Sequence, residues 1–359
     1  MERSAYRTPS RQPGKGFSHA RLLGGLLVVA LLGCQPAGPT ATDQPTGSPQ
    51  ATPTDQPTGS PQPTAAAWPR TLTDDEGTQL RLEGPPQRLI SLSPANTEIV
   101  FALGAGDRLV GRTDFDDYPP EAAELPAVAT YTGVFLERVV ELQPDLILAA
   151  GNNFTPAGDI TRMRELGLDV LVVYAETVEQ VLADILLIGR AIGAEGESAA
   201  VVSTMESRTA QVQRAVEAIE ERPRVFYEIG AEPEIYGPAP DSFIADMVVL
   251  AGGEPITTSD PAVFSISVEQ LVALDPEIII LGDAAYGVCP EDVRARPGWS
   301  GMTAVRQGAI RPVDDIIVTR PGPRLGEGLA ALALAIHPDA DIAAPSDARP
   351  LCVQGSLGR

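Results

Sequence analysis

The sequence predicts an α/β protein of two lobes with mostly parallel sheets, joined by one long interdomain helix, with a ligand cleft between the lobes. Three observations carry this. First, residues 136–151 (LERVVELQPDLILAAG) and 268–283 (VEQLVALDPEIIILGD) repeat one pattern at an offset of 132 without a gap. Each copy has a Glu second (Glu137, Glu269), an apolar helical stripe, and a Pro (Pro144, Pro276) that ends the helix because it lacks an N–H and disfavours α conformation just before it. Each then has an acid and a continuous aliphatic run, the signature of a strand buried on both faces of a parallel sheet. Second, residues 196–222 contain no Pro or Gly after their start. They read as one helix of about 25 residues, roughly 38 Å long, lying between the two copies. Third, strand and helix patterns alternate along the rest of the chain.

The N-terminus is expected to be processed. Arg3, Arg7, Arg11, Lys15 and Arg21 precede an apolar stretch at 22–32, too short to be a stable membrane anchor, which ends in Leu-Gly-Cys34. That is the lipobox pattern of a bacterial lipoprotein signal (residues 1–33), with Cys34 as the lipidation site and the outer face of the cytoplasmic membrane as the expected location. Residues 34–67 form a Pro/Thr/Gly/Ser tether in which TDQPTGSPQ occurs twice, and nothing there can build a core. Cys289 and Cys352 remain. In an exported compartment they are expected to form a disulfide.

After the tether, residues 68–87 are an N-terminal extension with a hairpin at 71–82, turning at Asp75-Glu76-Gly77. The first lobe is assigned to 88–194. It holds strands at 88–92 and 109–112, a loop at 93–98 with helix-start chemistry, and a helix at 99–103 stopped by Gly104. A loop at 113–120 (TDFDDYPP) and the first repeat copy follow. Then come a helix at 159–166, a strand at 170–173 and an amphipathic helix at 178–192. The linking helix is assigned to 195–222 and the second lobe to 223–340. That lobe opens with a strand at 224–229 and a helix at 243–250 and carries the second repeat copy. It continues with helical turns at 292–305, a strand at 310–313, a polar loop at 314–324 and a helix at 325–336. Residues 341–359 are a tail.

Composition excludes several functions. The formal charge of −22 becomes −26 once a leader with five basic residues and one acid is removed. So acidic a chain does not bind nucleic acid. There is no G-x-S-x-G, H-E-x-x-H or Walker A pattern. His337 is the sole histidine after the leader, too few for a transition-metal cage. No enzyme activity, cofactor or resident metal is expected. What remains is the set of loops at strand C-termini, where open α/β sheets bind ligands. Those loops hold Phe115, Tyr118, Tyr131, Phe135, Phe154, Tyr236 and Phe264, seven of the 17 aromatics of a chain that is only 5% aromatic. Loop aromatics facing a cleft offer large contact area at low entropic cost.

The segments ISLSPANTE (90–98), DYPP (117–120), LER (136–138), QPDL (143–146) and AGGE (251–254) resemble the cobalamin-binding proteins of ABC importers, within the wider iron-siderophore, haem and cobalamin class of substrate-binding proteins. The resemblance spans residues 88–337. It implies a monomeric, lipid-anchored receptor that hands a corrinoid to a permease with its ATPase. It also implies that Glu137 and Glu269 dock on the permease, although a Glu in a first helical turn is equally explained by the helix dipole. Ligand contacts are expected from Phe115, Tyr118, Tyr131, Asn152, Asn153, Tyr236, Phe264, Arg320 and Arg324. Haem would use Tyr131 or Tyr236 as iron ligand. An acidic ferric siderophore would use Arg112, Arg320 and Arg324. A surface adhesin or an enzyme on the same frame is the reading from another class.

Overall fold

The computed structural model describes residues 67–151, 154–346 and 351–352. The leader, the tether, Cys34, Asn152 and Asn153 lie outside the described residues. The first lobe is a six-stranded sheet in the order Gly133–Val134, Ala127–Thr130, Leu109–Thr113, Leu89–Ser91, Leu146–Ala150, Val170–Val173. All its pairings are parallel except that of the edge strand Gly133–Val134. The second lobe has four parallel strands, Glu254–Pro255, Arg224–Glu228, Ile278–Leu281 and Ile310–Pro312. The expected α/β architecture is present, with the aliphatic runs of both repeat copies as interior strands.

Helix Glu195–Glu217 joins the lobes. It packs on Val178–Ile192 from the first lobe and on Leu325–Ile336 from the second. Val202, Met205, Val212 and Val216 form its buried face. They belong to one apolar cluster that also contains Leu89, Leu146 and Val181 on one side and Val225, Ile280 and Leu329 on the other. The hairpin Arg70–Thr73/Gln79–Leu82 adds Leu72, Leu80 and Leu82 to the same cluster. Close approach has local requirements. A Cβ on Gly189 would collide with the Ser198 side chain where the first two helices cross, and one on Gly328 would collide with the Ile317 carbonyl.

Both repeat copies use one device to turn from helix to strand. Gln143 and Asp275, each just before a proline, both sit at φ 47°. An arginine at the entry to the first central strand of each lobe, Arg88 just before Leu89–Ser91 and Arg224 at the start of Arg224–Glu228, returns to the end of the repeat helix. Arg88 Nε donates to the carbonyls of Leu142 and Gln143 at 3.0 and 3.2 Å, and Arg224 Nε to those of Leu274 and Asp275 at 3.3 and 3.2 Å. The acid after each proline accepts the arginine's own backbone N–H, Asp145 from Arg88 at 3.0 Å and Glu277 from Arg224 at 3.0 Å.

Several local expectations are corrected. The first helix runs Pro94–Ala102, one turn earlier than residues 99–103, because Ser93 caps it and Pro94 fits the first helical turn. The linking helix stops at Glu217 rather than at residue 222. The supposed loop 314–324 contains a helix, Asp315–Thr319, capped by the Asp314 carboxylate on the Ile316 N–H at 3.2 Å. An antiparallel ribbon, Ile235–Tyr236 with Ser265–Ile266, was too short to show periodicity. The expected Cys289–Cys352 disulfide is not formed; both are free thiols. They are neighbours nonetheless, and burial followed by the adjacent Cys289 thiol pushes Cys352 up to about 12. Among the described residues no helix is long and apolar enough to cross a membrane.

Candidate functional site

Loops at the carboxyl edge of the first sheet face the helix Asp315–Thr319 and Tyr286 of the second lobe across a cavity of about 660 Å³. Aromatic rings form the first lobe's wall. Phe115 and Tyr131 stack with centroids 4.7 Å apart, and Phe154 meets Phe115 edge-on at 5.7 Å. Tyr131 is 83% exposed, which leaves its outer face open to a ligand. The Phe115 loop is pinned by its neighbour. The buried Asp116 carboxylate accepts the Thr97 hydroxyl at 2.5 Å and the Thr113 hydroxyl. Burial raises the Asp116 pKa, while the hydrogen bonds from Thr113 and Thr97 oppose the rise. The Phe154 loop is held by Thr155, whose hydroxyl accepts the Ala150 N–H at 3.1 Å.

The charge arrangement differs from expectation. Arg320 and Arg324 are not open cations. Arg324 donates to both oxygens of Glu98, from Nε at 2.9 Å and Nη2 at 2.7 Å. Arg320 Nη1 donates to Glu98 at 2.6 Å and to Asp117 at 3.1 Å. The Glu98 side chain is only 2% exposed. One buried carboxylate of the first lobe thus holds two guanidinium groups of the second, and charge-assisted bonds of this kind are the strong ones. Arg112 spends its guanidinium on the Thr113 and Ala123 carbonyls. Nothing in the sequence marks Glu98 as the partner of these arginines, which lie more than 220 positions away.

The other expected ligand residues divide. Phe115, Tyr131 and Arg320 line the cavity. Tyr118 and Arg324 do not; they stack on one another, guanidinium 3.7 Å from the ring centroid, beside a separate cavity of about 530 Å³. Tyr236 is half-buried on the antiparallel ribbon, and Phe264, 48% exposed, lies beside it. Neither lines the aromatic cavity. A larger cavity, about 1270 Å³, is made by the second lobe alone and meets the first at Tyr286. Its arginine, Arg296, is bidentate on the buried Glu228 at 2.5 and 2.9 Å. Burial, then Glu228, pushes Asp283 there up to about 7. Among the described residues no cluster of His, Cys, Asp and Glu suits a metal ion, and His337 is engaged with the Gly252 carbonyl at 3.0 Å.

Glu137 and Glu269 are exposed in the first turns of Leu136–Glu141 and Val268–Leu274. In the second copy the capping box is made by Ser267 and Gln270, so Glu269 is not the cap. In the first, Phe135 offers no side-chain cap and Glu137 does not supply one. Among the described residues neither carboxylate takes part in an ion pair or side-chain hydrogen bond.

A family model described as periplasmic binding protein matches residues 89–316. The chain belongs to the periplasmic binding protein family. This binding protein is 34% identical over 276 residues to an uncharacterized ABC transporter substrate-binding lipoprotein, YvrC, of Bacillus subtilis, covering 76% of its own chain and 87% of that relative. It is 31% identical to a cobalamin-binding protein of Halobacterium salinarum, covering 76% and 75% of the two chains. Among solved structures it is similar to a periplasmic heme-binding protein from Pseudomonas aeruginosa, with a TM-score of 0.63, 26% identity and coverage of 72% and 96%. These relatives are named as binding proteins.

Proposed function

We propose that this protein captures a corrinoid outside the cytoplasmic membrane, to which Cys34 anchors it by lipid, and delivers the ligand to an ABC importer permease. The observation that carries the ligand choice is the wall of Phe115, Tyr131 and Phe154 in a cavity where Arg320, the one arginine lining it among the described residues, is already shared by Glu98 and Asp117. An acidic chelate or a haem dianion gains most from open cations. A large neutral ring with amide arms gains most from apolar contact and dispersed hydrogen bonding. The cobalamin-binding relative agrees with this reading. A second reading, haem or a ferric chelate, is favoured by the exposed Tyr131 phenol and the heme-binding structural neighbour. Calorimetric titration with cyanocobalamin, haem and ferric siderophores decides between them. Heat with cyanocobalamin alone is expected; tight binding of a ferric chelate or haem without it would reject the corrinoid.

Permease docking is assigned to Glu137 and Glu269, supported by their equivalent positions, their exposure and their lack of capping work. Reversing both to Arg is expected to abolish ligand uptake by cells while calorimetric affinity stays unchanged. Lost affinity would place these acids in the cleft instead.

A further inference from the structure

The aromatic cavity carries an ion pair in its wall. Its ionisable lining consists of Asp117, Asp184 of helix Val178–Ile192, Asp315, Arg320 and the phenols of Tyr131, Tyr174 and Tyr286. Arg320 ends the second-lobe helix Asp315–Thr319, and Asp117 sits in the first-lobe loop that also holds Phe115. Arg320 Nη1 donates to Asp117 Oδ1 at 3.1 Å, so the pair joins the lobes. The Asp117 side chain is 42% exposed and that of Arg320 15%, which makes the acid the outer member.

Asp117 is placed by its neighbours. On one side Asp116 is tied to the Thr97 and Thr113 hydroxyls. On the other the Tyr118 ring lies against the Arg324 guanidinium. Neither anchor uses the Asp117 side chain. Arg324 takes both oxygens of Glu98, and Arg320 shares one of them, Oε1. Two guanidiniums thus meet one buried carboxylate, and Asp117 brings the second negative charge. Glu98 and Arg324 border the separate cavity beside Tyr118, whereas Asp117 and Arg320 border the aromatic one. Asp117 therefore cancels the charge that Arg320 would otherwise present to a ligand. A ligand carboxylate drawn to Arg320 comes to lie beside Asp117, and like charges brought together in a site that the ligand dries repel strongly. A primary amide fits the same pair. Its carbonyl accepts from the guanidinium and its N–H donates to the carboxylate.

We propose that Asp117 is a specificity-determining residue: by holding Arg320 it bars carboxylate arms from the aromatic cavity and leaves a donor–acceptor pair that fits a neutral amide arm. This rests on the corrinoid reading and names the residue that makes the choice.

The test is calorimetry of the full-length chain at pH 7 with cyanocobalamin and with its monocarboxylic acids, in each of which one side-chain amide is hydrolysed. Wild type is expected to bind at least one of these acids about tenfold or more weaker than cyanocobalamin. Asp117→Asn keeps the shape and an acceptor for Arg320 but uncovers its charge, and should reduce that ratio by about tenfold. Asp117→Ala should shift the ratio the same way. Adding Arg320→Gln to Asp117→Asn should return the ratio towards wild type, with folding of each variant checked by circular dichroism. Equal binding of cyanocobalamin and all its monocarboxylic acids by wild type overturns the proposal and leaves the corrinoid reading standing. So does an unchanged ratio in both Asp117 variants, or a shift that persists without Arg320. Absence of cyanocobalamin binding by wild type rejects both.

Discussion

Glu98 illustrates what single residues decide here. Its carboxylate, 2% exposed, carries three hydrogen bonds from Arg320 and Arg324. Removing the charge leaves Arg324 buried without its bidentate carboxylate and Arg320 with Asp117 alone. Glu98→Gln is expected to cost about 3–5 kcal/mol, read by urea denaturation. The aromatic wall predicts a functional loss instead. Phe115→Ala and Tyr131→Ala should each weaken binding of the proposed corrinoid ligand about tenfold or more with little change in stability, since Tyr131 is mostly exposed and an aromatic contact adds about 0.5–1.5 kcal/mol beyond area burial. Asp184 has a stability signature of its own. Its pKa rises from 3.8 in the unfolded chain to about 8 in the folded protein, so the folded state retains a proton that the unfolded chain releases. Stability contributed by this group is full below pH 4 and declines as pH rises towards 8. Urea midpoints at pH 5 and pH 8.5 should differ more for wild type than for Asp184→Asn. Sequence made Phe115 and Tyr131 legible because aromatics in polar loops after strands stand out. It made Arg320 and Arg324 look like open cations, because pairing with a glutamate over 220 residues away leaves no local pattern.

Among elements, the helix-to-strand turn of each repeat copy was only half legible. Proline announced where each helix ends. The left-handed residue before it and the arginine returning from the first strand of the lobe are tertiary facts. Gln143 and Asp275 share φ 47° but differ in consequence. The Asp275 carboxylate also accepts the Thr303 N–H at 2.7 Å and hydroxyl at 2.9 Å, whereas Gln143 serves no such contact among the described residues. Gln143→Gly should therefore be neutral or slightly stabilising, and Asp275→Gly destabilising, by thermal melting. The helix Asp315–Thr319 was missed because five residues between a proline-valine pair and a Pro-Gly-Pro run carry too little periodicity. Its seat depends on Gly328. Gly328→Ala would drive a methyl group into the Ile317 carbonyl and should cost about 3 kcal/mol while shifting one wall of the ligand cavity.

At the scale of the molecule, the doubled stretch and the uninterrupted helix disclosed two lobes and a connection, because period and spacing survive in sequence. They did not disclose that the lobes share one apolar cluster along that helix. Binding is therefore expected to proceed with small lobe displacements, and thermal unfolding of the body to occur in a single transition. Two separated transitions would show that the lobes unfold independently.

The Glu98 contact also limits how such proteins can be recombined. A chimera that joins the first lobe of one relative to the second lobe of another inherits one end of an ion cluster and an orphaned counterpart. Only donors that match at position 98 and at positions 320 and 324 together would give a stable hybrid. The two halves, though built on one repeated plan, are not interchangeable parts.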